Sequence, residues 1–201
     1  MTEGKRGILF VLSGPSGAGK GTVCQALMAR QPDLSLSVSA TTRLPREGEQ
    51  HGVNYFFKSP EEFHAMIAYN QLLEWAEVYG NFYGTPRNFV EEKLERGVDV
   101  LLEIDIQGAM QVRHTYPEGV FIFLIPPSAT ELKSRILGRG SETDESFQRR
   151  FGAARHELQR MKEYNYVVVN DVVDSACVRI EAIIRAEHCS VHRNLELLSE
   201  W

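Results

Sequence analysis

The stretch that most constrains this chain is "ILFVLSGPSGAGKGTVCQALMARQ", residues 8–31. A short apolar run ended by Ser-Gly-Pro reads as a buried strand, and the pattern after the glycines reads as an amphipathic helix. Between the two, Gly14, Gly17 and Gly19 let the backbone wrap so that successive N–H groups point inward. Phosphate oxygens are met well there, at the positive end of the following helix. Lys20 adds a movable charge suited to β and γ phosphates. The expected triphosphate-binding segment is Gly14, Pro15, Ser16, Gly17, Ala18, Gly19, Lys20, Gly21 and Thr22. One position departs from the usual G-x-x-x-x-G-K-[ST] pattern: Gly21 stands where a hydroxyl would meet magnesium. Mg2+ is therefore expected to rest mainly on phosphate oxygens and water, with no dedicated protein site and Thr22 as the next hydroxyl along.

The rest of the chain fits an α/β protein in which strands alternate with helices around a parallel sheet. A chain of 201 residues with 43% hydrophobic side chains can bury about 70% of its unfolded surface, enough for one compact domain. Strands are expected at residues 8–13, in "VDVLLEID", in "GVFIFLIPP" and in "YNYVVVND". Helices are expected from Lys20 to Arg30, after the Ser59 cap with Pro60 at its first position, after "YGTP", in "SATELKSRILGRG", in a basic segment "SFQRRFGAARHELQRMKEY", and over residues 173–192. Residues 34–59 read as a β-rich, arginine-bearing stretch.

Composition narrows the function classes. With 22 Lys and Arg against 27 Asp and Glu the net charge is −5, which argues against nonspecific adhesion to nucleic acid or an anionic membrane. The opening residues read as a first strand, not a secretory signal, and no stretch reaches the length of a membrane-spanning helix. Three cysteines without a C-x-x-C pair give neither a disulfide framework nor a zinc ribbon, so a reducing cytoplasm is the expected setting. The pattern His188, Cys189, His192 has zinc-like spacing but reads better as the outer face of a terminal helix. Trp75 and the Phe56–Phe57 pair read as core packing in strands.

A second set of residues suggests a phosphate acceptor. Arg43 and Arg46, followed by Tyr55, offer two guanidiniums and a phenol suited to a dianionic phosphate, although solvated loop arginines would look the same. Glu74 precedes Tyr83 and Thr85 in "EWAEVYGNFYGTPR". A carboxylate accepts two adjacent N–H groups, matching the N1 and amino edge of guanine, whereas adenine has no donor at N1. The "GKGT" loop itself resembles that of adenylate kinases, which suggests a nucleoside monophosphate as acceptor.

The motifs "GPSGAGKGT", "SVSATTRLPREGE", "YFF", "EWAEVYGNFYGT", "IDIQG", "LIPPS", "GRGSETDES" and "VVND" occur in this order over nearly the whole chain, which resembles the guanylate kinase family. The resemblance implies a three-layer P-loop kinase core with a parallel sheet, a small mixed β/α GMP-binding arm and a short lid, all within a single domain over 1–201. Core segments would be 1–36, 90–137 and 160–201, the arm 37–89 and the lid 138–159. It implies transfer of the ATP γ-phosphate to GMP, with Mg2+, and with dGMP as a further acceptor to test. Ser39, Glu74 and Thr85 would read guanine; Arg43, Arg46, Tyr55 and Tyr83 would hold the GMP phosphate; Glu103 and Asp105 would lie near the GMP pocket. Lys20, Arg139 and Arg150 would be catalytic, with Arg149 in reserve, and Asn170 would lie near the ATP base. A kinase for another monophosphate and a guanylate-kinase-like interaction module are the alternatives. The intact phosphate loop argues against the second. The sequence fixes no oligomeric state.

Overall fold

The structure is a computed structural model that describes residues 5–78, 80–137, 151–152 and 157–200. Strand β1 (Leu9–Ser13) is wholly buried and leads through the glycine loop into α1 (Lys20–Arg30). Next come the short strands β2 (Ser35–Leu36), β3 (Ala40–Thr41) and β4 (Phe56–Phe57), then α2 (Pro60–Ala68). The hairpin β5 (Leu72–Val78) and β6 (Asn81–Pro86) runs into α3 (Arg87–Glu95). The strands β7 (Val100–Glu103), β8 (Val120–Ile125) and β9 (Tyr166–Val169) are interleaved with α4 (Ile106–Thr115) and α5 (Ala129–Leu137), and α6 (Val173–His188) follows.

Five strands are hydrogen-bonded in the order β2-β7-β1-β8-β9, and four in the order β4-β3-β6-β5. In the larger sheet β2 pairs with β7 and β8 with β9 in parallel, with Ser35 opposite Val100 and Ile122 opposite Tyr166. The apolar runs expected to be strands are buried as a parallel sheet requires: Phe121, Ile122, Phe123 and Leu124 of β8 are all fully inaccessible. In the smaller sheet β6 is antiparallel to both β3 and β5.

Contacts divide the chain into two compact units, Met1–Val11 with Pro32–Phe121, and Leu12–Gln31 with Ile122–Trp201. In the first, α2 starts with a full capping box. The Ser59 hydroxyl accepts from the Glu62 N–H at 3.1 Å, and Glu62 accepts from the Ser59 N–H at 2.8 Å. This sets Phe63 into a buried cluster with Ala40 and Leu72, which Phe56 joins. In the second, α1 turns Val23, Cys24 and Leu27 inward and α6 turns Ala176, Cys177 and Ile180 inward. Arg30 of α1 donates to Glu181 of α6 at 2.6 Å, neutralising a carboxylate that is only 6% exposed.

Four expectations change. The β-rich stretch 34–59 yields only three two-residue strands, because Pro45, Gly48 and Gly52 hold most of it in turns. The sequence reading has no helix after "IDIQG", where α4 begins with the Asp105 side chain as its cap. Trp75 is 38% exposed and not a core residue, since β5 buries Leu72, Leu73 and Glu74 in succession and turns Trp75 outward. The last helix stops at His188 with Ser190 in an extended conformation, so His192 lies in a separate 3-10 turn and the i, i+4 pairing of the two histidines is lost.

Candidate functional site

In the second unit the glycine loop follows the carboxyl end of β1, the edge where open α/β sheets collect ligands. Gly19 caps α1 at φ 87°, ψ 27°, left-handed backbone that glycine adopts without strain. A Cβ there would also lie 2.5 Å from Asn170 Nδ2. Lys20 Nζ donates to the Gly14 carbonyl at 2.6 Å, curling the ammonium over the loop. Gly21 and Thr22 are exposed in the first turn of α1. Loop N–H groups, helix terminus and ammonium are thus gathered on one segment, an arrangement suited to phosphates.

Asn170 follows β9 and is 3% exposed. Its Nδ2 donates to the Ala18 carbonyl at 2.8 Å, which ties this end of the amide to the loop backbone. Sequence reasoning missed Arg135 on α5. It donates to the Asn170 carbonyl at 3.0 Å and to Glu131 at 2.8 Å, with its guanidinium near Gly19. The i, i+4 spacing of Glu131 and Arg135 was the available signal. Arg139, Arg149 and Arg150 lie outside the described residues.

In the first unit a cavity of about 190 Å³ is lined by Ser39, Tyr55, Glu74, Tyr83, Glu103 and Asp105, among others. Six of the nine residues expected at the GMP pocket therefore line one cavity. Glu74 is 6% exposed, and Thr85, fully buried, donates its hydroxyl to Glu74 Oε1 at 2.7 Å. The Thr85 hydrogen is thereby spent on the carboxylate. Burial pushes the Glu74 carboxyl up to about 7, helped by the charge of Asp105 and opposed by the Thr85 hydrogen bond. Asp105 Oδ1 meanwhile accepts from the Gly108 N–H at 2.7 Å as the cap of α4.

Arg43 sits beside this cavity. Its Nη2 donates to both Glu49 oxygens, at 2.9 and 3.0 Å, and its guanidinium lies over the Tyr55 ring, 5.4 Å from the centroid. Tyr55 and Tyr83 meet edge to face at 6.1 Å. Glu49 first, and Tyr83 after it, raise the Arg43 guanidinium above its ordinary value. The Arg46 side chain is exposed, while its backbone N–H donates to Glu49 at 2.8 Å. Glu49 had no place in the sequence reading, yet it anchors both arginines. Among the described residues no group of three or more His, Cys, Asp or Glu could hold a metal ion.

Comparison with known proteins gives one consistent answer. The family model described as guanylate kinase matches residues 6–187. The chain is 57% identical over 194 residues to the guanylate kinase of Halalkalibacterium halodurans, covering 96% of this chain and 95% of that protein. It is 56% identical over 190 residues to the guanylate kinase of Bacillus subtilis, covering 94% and 93%. Among solved structures, the guanylate kinase of Anaplasma phagocytophilum superposes with a TM-score of 0.75 at 36% identity, covering 94% of this chain and 90% of that one.

Proposed function

The chain belongs to the guanylate kinase family, and from that premise we propose that it transfers the γ-phosphate of ATP to GMP, giving ADP and GDP. The observation that carries the acceptor assignment is Glu74. A buried carboxylate on the wall of a cavity accepts hydrogen bonds, and guanine offers N1–H and an amino group side by side. Adenine would leave one oxygen without a donor in a poorly solvated place, at a cost of about 1–3 kcal/mol.

In this reading Ser39 and Glu74 take the base, Thr85 holds Glu74, and Tyr55, Tyr83, Arg43 and Arg46 take the phosphate, with Glu103 and Asp105 completing the wall. An oxygen of the GMP phosphate attacks the γ phosphorus; the new P–O bond forms as the bond to the β–γ bridging oxygen breaks and ADP leaves. No covalent intermediate is needed, so positioning and charge neutralisation carry the rate. Loop residues 14–22 and Lys20 bind the donor phosphates, and Asn170 braces the loop. Arg139 and Arg150 are assigned to the group in flight by family likeness, as are the arm 37–89 and the lid 138–159. Mg2+ fits as a partner carried in by ATP. The exposed Thr22 in the first turn of α1 suits an ion held mainly by phosphates and water. When bound it neutralises donor phosphate charge. A cytoplasmic role in purine nucleotide supply fits this reading, and among the described residues no helix is long and apolar enough to cross a membrane. The test is Glu74→Gln. Its amide places an N–H against the guanine edge, so the preference for GMP over AMP should fall at least tenfold. An unchanged ratio would remove Glu74 as the base reader.

A further inference from the structure

The direction of the Glu74 carboxylate depends on groups that do not touch a nucleotide in the reading above. Between the pairs Leu72 with Pro86 and Trp75 with Gly84, β5 has two residues, Leu73 and Glu74, against the single Thr85 of β6. Such a bulge re-aims a side chain. Helix α4 then closes on the same spot. A Cβ on Gly108 would lie 2.6 Å from Glu74 Oε2, inside any normal contact, and 3.1 Å from its Cδ, a tight one. One turn along the same face, Gln111 Nε2 donates to the Trp75 carbonyl at 2.9 Å and its Oε1 accepts from the Trp75 N–H at 3.1 Å. These two hydrogen bonds to the residue after Glu74 tie the bulged strand to the helix.

We propose that Gly108 and Gln111 are specificity-determining positioning residues: Gly108 leaves the space in which Glu74 Oε2 sits, and Gln111 holds the bulge so that the carboxylate faces the guanine edge. This rests on the assignment of GMP as acceptor. The carboxylate cannot move aside cheaply, because its other oxygen is held by Thr85 and it is 6% exposed. A methyl at 108 therefore breaks either the Thr85 bond or the alignment with the base. The next contact, Asp105 Oδ1 at 3.3 Å, is milder and asks for a shift of only a few tenths of an ångström. Gly108 has no positive φ, and alanine is the better helix former. The chain should thus fold with the base reader displaced.

The experiment measures GMP and AMP binding by calorimetry, and turnover with ATP, for the wild type, Gly108→Ala, Glu74→Asp, the double variant and Gln111→Ala. Gly108→Ala should weaken GMP about tenfold or more, narrow the GMP-to-AMP ratio and leave KM for ATP within about twofold. Gln111→Ala should shift the same ratio several-fold less, with circular dichroism unchanged in both. Glu74→Asp withdraws the carboxylate by one methylene. It should weaken GMP alone but restore part of the affinity lost in Gly108→Ala, a strongly non-additive pair. Wild-type GMP affinity and selectivity in Gly108→Ala, or additive losses in the double variant, would overturn the inference. A wild type that binds GMP without transferring phosphate would overturn the proposed reaction but not the positioning role, and a wild type that binds no GMP would overturn both.

Discussion

Thr85 and Glu74 form a buried pair in which the hydroxyl donates to the carboxylate at 2.7 Å, and that bond is the main local force keeping the Glu74 charge accessible near neutral pH. With the carboxyl at about 7, most of the population is protonated at pH 6 and little at pH 8. Only the ionised form accepts both guanine N–H groups. GMP affinity should therefore rise between pH 6 and 8, and Thr85→Val should move the midpoint upward. Titration calorimetry across that range, with Glu74→Gln as the variant lacking the transition, separates this from the acceptor phosphate's own titration. A midpoint unmoved in Thr85→Val would contradict the coupling.

The same raised carboxyl affects folding. The folded protein keeps the Glu74 proton between pH 4.5 and about 7 while the unfolded chain has lost it, so stability falls as pH rises through that window. At about 1.4 kcal/mol per pH unit, the loss is about 3 kcal/mol. Glu74→Gln lacks it. Urea unfolding of the nucleotide-free protein should show the variant gaining on the wild type from pH 5 to pH 8, and a constant difference would contradict the shift.

Arg43 is already oriented by Glu49, Tyr55 and Tyr83 before any ligand arrives. Removing it by Arg43→Ala takes away a charge-assisted donor worth about 1.5–3 kcal/mol. We expect KM for GMP to rise about tenfold to a hundredfold with KM for ATP little changed. Steady-state kinetics with each substrate varied in turn measures this; equal loss of both would refute the assignment.

Asn170 holds the phosphate loop through the Ala18 carbonyl, with Arg135 on its own carbonyl. Asn170→Ala should loosen the loop and raise KM for ATP several-fold while leaving GMP binding by calorimetry unchanged. An effect on GMP alone would show that the amide serves some other end.

Much of this architecture could be read from local chemistry. The glycine loop, α1 from Lys20 to Arg30, and the Ser59 capping box with Pro60 are dictated by residues within a few positions of one another, and the structure has them where the sequence indicated. The family motifs named Glu74 and its neighbours, and the cavity unites Ser39, Tyr55, Glu74, Tyr83, Glu103 and Asp105. What stayed hidden depends on long-range pairing. Helix α4 begins "IQGAMQ", with a glycine that weakens its helical signal, and its start is fixed by an Asp105 cap that reads equally well as a ligand. The bulge at Leu73 and Glu74 exists only relative to β6. Glu49 looks like a solvent carboxylate until the turn after Pro45 folds it onto Arg43 and the Arg46 N–H. Arg135 reads as a helix surface charge until β9 delivers Asn170 to it.

The most direct test of the account is a coupled ADP-release assay with ATP and magnesium, offering GMP, AMP, UMP and CMP in parallel to the wild-type protein. We predict turnover with GMP and at least tenfold less with each of the others, which would also show that the loop tolerates Gly21 at the position of the usual hydroxyl. Absence of GMP-dependent ADP release, or equal rates with GMP and AMP, would contradict it.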